Sequence, residues 1–168
     1  MIIRQEKPDE FPKIYNLVKV AFQTAKVSNG KEQDFVNELR SSAVYIPELV
    51  LVAEENGKLV GHIMLTKIYI INGSHKFETL LVAPLSVALE YRNREMGSNL
   101  IKESFKRAKE MGYQSVFLVG DPAYYHRFGF KTAADFGIKH TPVIPDENVM
   151  AYELVPGALH GITGTINF

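Results

Sequence analysis

The sequence contains no cysteine. No disulfide, thiolate zinc site or cysteine nucleophile can form, and a reducing, cytoplasmic setting is the expected one. Charge of one sign is missing as well: nineteen basic and nineteen acidic residues cancel. Without a net field, neither nucleic acid nor an anionic membrane is expected as a partner, and any anion must be held locally. No segment approaches the ~20 apolar residues of a membrane span, and "MIIRQEKPDE" brings acid before any apolar run of signal-peptide length. There is no internal repeat, low-complexity tract or Gly/Ser-rich linker, so residues 1–168 are expected to form a single domain. What is present, 46% hydrophobic and 23% charged residues, is ordinary for a globular chain burying one core.

Periodicity divides the chain. A short strand is expected near Ile2 to Gln5, followed by a helix with Phe11, Ile14, Leu17, Val18 and Phe22 at helical spacing and Asp9 as N-cap. "KEQDFVNELRSS" supplies a second short helix. The runs "ELVLVAEENGKLVGHIMLTKIYIING" and "KFETLLVAPLSVAL", turning at Asn56-Gly57 and Asn72-Gly73, predict a three-stranded antiparallel meander. The period then changes: "MGSNLIKESFKRAKEMG" sets Leu100, Ile101, Phe105 and Ala108 on one helical face, with Gly112 as the stop. "YQSVFLVG" reads as a buried strand and "DPAYYHRFGF" as a short helix with Asp121 as N-cap, Pro122 at its first position and Gly129 past its end. Two further strands are expected at Val149 to Leu154 and Ile162 to Phe168. Strand, helix, strand in succession implies a right-handed crossover between parallel neighbours. The fold class is mixed α/β: a central sheet of about six to seven strands, an antiparallel half then a parallel half, flanked by about four helices.

The stretch "YRNREMGSNL", residues 91 to 100, lies between a strand and a helix, where the first backbone N–H groups lack intrahelical partners and the dipole favours negative charge. It suits an anion. It equally suits a plain helix start in which Asn93 is the cap, Glu95 complements the dipole and the arginines are solvated. A Walker loop is excluded because no Gly-Lys-Ser/Thr follows, and a dinucleotide fingerprint because only one of its three glycines is present.

Two ordered patterns resemble the GNAT superfamily of N-acetyltransferases. Arg92, Asn93, Arg94, Glu95, Met96 and Gly97 match Gln/Arg-x-x-Gly-x-Gly/Ala with Glu95 in place of the first glycine, and Tyr125 to Phe130 match Tyr-x-x-x-Gly-Phe. The ending "AYELVPGALHGITGTINF" is similar to a branch of predicted acetyltransferases with a Leu-x-Pro-Gly-Ala-Leu segment. The resemblance implies a splayed parallel strand pair and acetyl-CoA as co-substrate. Backbone N–H groups from Arg94 to Ser98 would cradle the pyrophosphate, with Asn93 in the same turn and Arg92 and Arg94 nearby as cations. Leu85, Ser86 and Val87 would pair with the pantetheine arm, and the Val87 N–H would polarise the thioester carbonyl. Glu95 is expected to weaken coenzyme A, since a carboxylate about 4 Å from a phosphate charge costs ~1 kcal/mol in water and ~4 at an effective dielectric of 20. As a non-glycine it is expected to hold ordinary helical dihedrals.

The same resemblance assigns Tyr125 as the acid that protonates the departing thiolate, with Tyr124 and His126 as substitutes. Glu78 is the first candidate for general base and His62 the second. No metal is expected, because the five histidines are scattered. The activity implied is acetyl transfer from acetyl-CoA to a primary amine by direct attack; the alternative is a non-catalytic acyl-CoA-binding or sensing module. The amine is open among small molecules, amino acids, antibiotics and protein N-termini or lysines, with residues Phe22 to Tyr45 lining its pocket, and a homodimer is among the expected assemblies.

Overall fold

The period-two apolar pattern from Val50 to Ile71 becomes two antiparallel strands, β2 (Val50–Glu55) and β3 (Lys58–Asn72). Asn56 and Gly57 join them with φ values of 51° and 76°, the left-handed pair that so tight a turn requires. Val50 lies opposite Met64 and Glu55 opposite Lys58, with a bulge between Ala53 and Glu54. β1 (Ile2–Gln5) pairs antiparallel with β2, and β4 (His75–Val87) follows β3 in the strand order. The structure, a computed structural model, describes residues 1–168, which divide into two compact units. The first comprises Met1–Thr66 and Val82–Ala108, the second Lys67–Leu81 and Lys109–Phe168, so β3 and β4 each contribute to both.

In the first unit, α1 (Phe11–Phe22) buries Ile14, Val18 and Ala21, and α2 (Glu32–Arg40) buries Gln33, Val36 and Leu39. Asp9 does not cap α1, contrary to expectation. It lies inside a 3-10 turn, Pro8–Glu10, and the Glu10 carboxylate secures the entrance by accepting the Lys7 N–H at 2.8 Å and two N–H groups of Arg4 at 3.0 and 2.6 Å. α3 (Met96–Glu110) buries Met96, Leu100, Ile101, Phe105 and Ala108, the face its periodicity predicts. It approaches β3 at Gly61, where a Cβ would lie 2.8 Å from Leu100 Cδ1 and 3.4 Å from Met96 Cγ. A glycine inside a strand here lets the first turns of α3 sit close to the sheet.

In the second unit, β5 (Ser115–Val119) runs parallel to β4 over two pairs, Leu80 with Val116 and Leu81 with Phe117. After α4 (Pro122–Tyr125) come β6 (Lys131–Thr132), β7 (Ile138–His140), β8 (Val149–Glu153) and β9 (Gly164–Ile166). β8 pairs antiparallel with β5 and β6, while β9 pairs antiparallel with the end of β3 and parallel with β7. The second half of the sheet is therefore mixed and not simply parallel. β6 and β7 are the two strands beyond the expected set, and at two and three residues they are too short to show a period. The core here is Ile70, Phe117, Ala133, Ile138, Val149, Ala151, Leu159 and Ile166. No helix is long and apolar enough to cross a membrane.

A buried ionic cluster sits in the first unit. The Glu6 carboxylate accepts from Arg40 Nε and Nη2 at 2.9 and 2.8 Å and from the Tyr45 hydroxyl at 3.0 Å. Arg40 in turn lies 3.9 Å from the centroid of the Phe11 ring. Burial alone would raise the pKa of Glu6, yet its partners hold it down to about 2. His62, fully buried with Nε2 3.5 Å from Glu6, is pushed down by that burial and stands neutral at neutral pH, which leaves Arg40 as the cation of the pair. Because the native state resists protonation at both groups while the unfolded chain does not, acid favours unfolding. His62 contributes as pH falls below its unfolded value near 6.5, and Glu6 between about 4.5 and 2. Unfolding free energy measured in urea should decline as pH falls from 7 to 5, with the one proton that His62 takes up on unfolding limiting its share to at most about 1.4 kcal/mol per unit. His62→Gln should flatten that window while leaving the Glu6 decline below pH 4.5; an unchanged slope would assign it elsewhere.

Candidate active site

Past β4 the chain makes a 3-10 turn at Leu89–Tyr91 and then four residues with no regular structure before α3. Asn93 and Glu95 both occupy the left-handed region, at φ 63° and 61°. Ordinary helical dihedrals at Glu95 are thus overturned, and so is Asn93 as helix cap. The first helical bond runs from Asn99 N–H to Glu95 C=O at 2.9 Å, which makes Glu95 the capping residue. The N–H groups of Met96, Gly97 and Ser98 precede that bond and have no acceptor within the helix. Left-handed residues alternating along a turn fold successive N–H groups into a concave nest, and this one opens onto the positive end of a fifteen-residue helix. The Glu95 side chain is exposed, so an anion could meet main-chain donors without meeting the carboxylate first.

The two arginines part company. Arg92 donates from Nη2 to the Ala21 carbonyl at 2.7 Å and from Nη1 to Thr24 Oγ1 at 2.9 Å, so its guanidinium closes the C-terminal end of α1 instead of standing ready as a phosphate cation. The reason is positional: the last carbonyls of a helix need donors, and the 3-10 turn brings Arg92 to them. Arg94 is exposed, 5.3 Å from the centroid of the Tyr91 ring, and is the cation that remains available. Upstream, Leu85, Ser86 and Val87 form the end of β4, after a cis peptide at Ala83-Pro84. Ser86 is buried, and its hydroxyl makes no hydrogen bond.

Tyr125 ends α4 in the second unit. Asp121 caps that helix as expected, its carboxylate accepting the Ala123 N–H at 3.0 Å, and Gly129 stops the following turn at φ 94°. The Tyr125 ring stands edge-on to Tyr124 and Phe130, with centroids 4.9 and 5.7 Å away. Burial pushes its pKa upward, and the nearby Tyr124 and Asp121 add to the effect, so the phenol keeps its proton throughout the neutral range. Of the substitutes, Tyr124 is half-buried under the Arg127 guanidinium, 4.3 Å away, and His126 is exposed.

The two base candidates fare differently. Glu78 is exposed near the start of β4, seven residues before Leu85, which along a strand is about 23 Å. It lines a depression of about 480 Å³ in the second unit with Lys76, Phe77, Met111 and Tyr113. That separation removes Glu78 as the base beside Leu85 to Val87. His62 belongs to the buried Glu6 cluster described above. No three His, Asp or Glu side chains gather to hold a metal ion.

Against known proteins, a family profile described as acetyltransferase (GNAT) domain matches residues 2–133. The uncharacterized N-acetyltransferase YhbS of Escherichia coli is 28% identical over the whole of this chain and 96% of its own. A second uncharacterized N-acetyltransferase of that organism, YjhQ, is 34% identical over 75% of this chain and 70% of its own. Among solved structures, YhbS from Escherichia coli in complex with CoA superposes with a TM-score of 0.87, covering 99% of this chain and 88% of that one. A GNAT family acetyltransferase from Brucella melitensis in complex with acetyl-CoA superposes at 0.79 with 27% identity, covering 99% and 94%.

A left-handed non-glycine residue stores about 1 kcal/mol of backbone strain. Glu95→Gly should therefore raise the unfolding free energy by about that much in a urea titration. A fall in stability would mean that the carboxylate contributes more to the start of α3 than its backbone strain removes.

Proposed function

Because the chain belongs to the GNAT family of acetyltransferases, we propose that residues 1–168 act as one N-acetyltransferase domain that moves an acetyl group from acetyl-CoA to a primary amine by direct attack in a ternary complex. The observation that carries this reading is the nest at Asn93 and Glu95 leading into the unpartnered N–H groups of Met96, Gly97 and Ser98. These donors bind the pyrophosphate, with Arg94 adding charge. The two-residue register of β4 with β5 supports an open backbone at Leu85 to Val87, where the pantetheine arm adds as a strand would.

The chemistry follows from the residues. The chain has no cysteine to carry an acyl group, so the amine attacks the thioester carbonyl itself. The N–C bond forms, and the carbonyl oxygen, as it takes up charge, accepts the Val87 N–H. As the C–S bond breaks, its electron pair goes to sulfur and the Tyr125 phenol supplies the proton. An elevated phenol pKa would make that donation costly against a thiol of ordinary pKa about 8.5. A thiolate forming in the same desolvated surroundings is raised too, which restores the match. With Glu78 removed, the incoming ammonium loses one proton to water before attack, the nitrogen of the tetrahedral adduct loses a second to water as the carbonyl re-forms, and the phenolate regains its proton from solvent.

Coenzyme A should stabilise the fold by about 2.7 kcal/mol at a hundredfold excess over its dissociation constant. A thermal shift and calorimetry read this directly, and the absence of both would remove the proposed activity. In a panel of primary amines followed by thiol release, Tyr125→Phe should lower the catalytic rate by ~10²- to 10⁴-fold with acetyl-CoA affinity nearly unchanged. The deficit should shrink as pH rises beyond the thiol's raised pKa, above its ordinary value of about 8.5, where the thiolate leaves unaided. Binding without turnover on any amine would favour an acyl-CoA sensor instead.

A further inference from the structure

Gly120 is not among the glycines that this chain places at positive φ, so its backbone is open to any residue and only space excludes a side chain. A Cβ there would lie 2.7 Å from Cε2 and 3.1 Å from Cδ2 of Tyr125, and 3.1 Å from Leu118 Cδ1. The phenol ring therefore rests on bare main chain. That main chain is pinned: the Gly120 N–H donates to the Asn148 carbonyl at 2.9 Å, and the Gly120 carbonyl accepts from Asn148 Nδ2 at 3.1 Å. The next residue, Asp121, caps the helix that carries Tyr125. Floor and ring are thus fixed within five residues of chain, and the other edges of the ring are set by Tyr124 and Phe130.

We propose that Gly120 is a positioning residue for the Tyr125 phenol: the missing side chain sets how deep the ring lies, and with it the point at which the hydroxyl delivers its proton. The proposal rests on the reading of Tyr125 as general acid. To reach ordinary van der Waals contact with an alanine at 120, the near edge of the ring must withdraw by roughly 1 Å. The hydroxyl, farther from the Cα pivot than Cε2, moves at least as far. A displacement of about 1 Å in a reacting group is enough to cost ~10²-fold in rate, while coenzyme A contacts made by the first unit's main chain are untouched.

The test is a double-mutant cycle of Gly120→Ala and Tyr125→Phe. It is read by thiol release from acetyl-CoA with the fastest amine of the panel, or with water as acceptor where no amine exceeds it. Gly120→Ala should lower kcat by roughly 10- to 100-fold with the KM for acetyl-CoA within about twofold, and in the Tyr125→Phe background it should change the rate by less than about twofold. An equal loss in both backgrounds would overturn the positioning role and leave Tyr125 as the acid. A parental rate in Tyr125→Phe alone would overturn the acid reading first, and the positioning role with it. Tyrosine-ring NMR supplies a readout that needs no turnover: the Tyr125 resonance, identified by its loss in Tyr125→Phe, should move in Gly120→Ala while that of Tyr15 stays, and an unmoved resonance overturns the proposal. Should Gly120→Ala not fold, Gly120→Ala with Tyr125→Ala decides: recovery of the fold supports the contact, and continued unfolding assigns the clash to Leu118 and overturns it.

Discussion

The left-handed pair at Asn93 and Glu95 is the constraint on which the candidate site depends. A helix start always leaves N–H groups unpaired, but these point at a common place only if the residues before them turn correctly. Here a glycine-free turn achieves it, with Asn93 tolerating the conformation through its short polar side chain and Glu95 holding it under strain. Two contacts on either side keep that turn where it is. Gly61 admits Leu100 and Met96 against β3, which seats the first turns of α3, and Arg92 is tied to Ala21 and Thr24 at the end of α1. A charge expected to face the ligand is used to hold the turn, and what the turn leaves open is mainly backbone N–H.

The second unit applies the same economy of side chains to a different problem. An acid must be dry enough to keep its proton and placed closely enough to give it to one atom. In the acid role proposed for it, Tyr125 has its ring placed by aromatic edges and by bare main chain, and burial keeps its proton in place. The asymmetry between the two proposed roles is chemical: binding a dispersed phosphate charge is served by several weak donors on backbone, whereas proton transfer requires a single group with a defined position.

Much of this was legible in the residues because its causes are local. The Asn56-Gly57 turn, the apolar face of α3, the Gly112 and Gly129 stops and the Asp121 cap each follow from a few neighbouring side chains and their allowed dihedrals. Pairing was less legible. β6 and β7 exist only because β8 and β9 offer edges to them, and the antiparallel place of β8 beside β5 is a matter of where the chain returns. Glu78 read as adjacent to the acyl site because it shares a strand with Val87, and a strand rises too far per residue for seven positions to count as near.

From the sequence alone came the mixed α/β class, the family patterns at Arg92 to Gly97 and Tyr125 to Phe130, and the exclusion of an acyl group carried on cysteine sulfur, since the chain has no cysteine. Tertiary structure alone decided the duty of each charge. Arg92 reaches back to a helix seventy-one residues earlier, Glu6 is held ionised among Arg40, Tyr45 and a neutral His62, and the strained φ of Glu95 is imposed by the turn between the end of β4 and α3. Residue type states what a side chain can donate, accept or ionise. Its partner depends on which distant backbone and side chains the fold brings within 3 Å, and on how much water they displace.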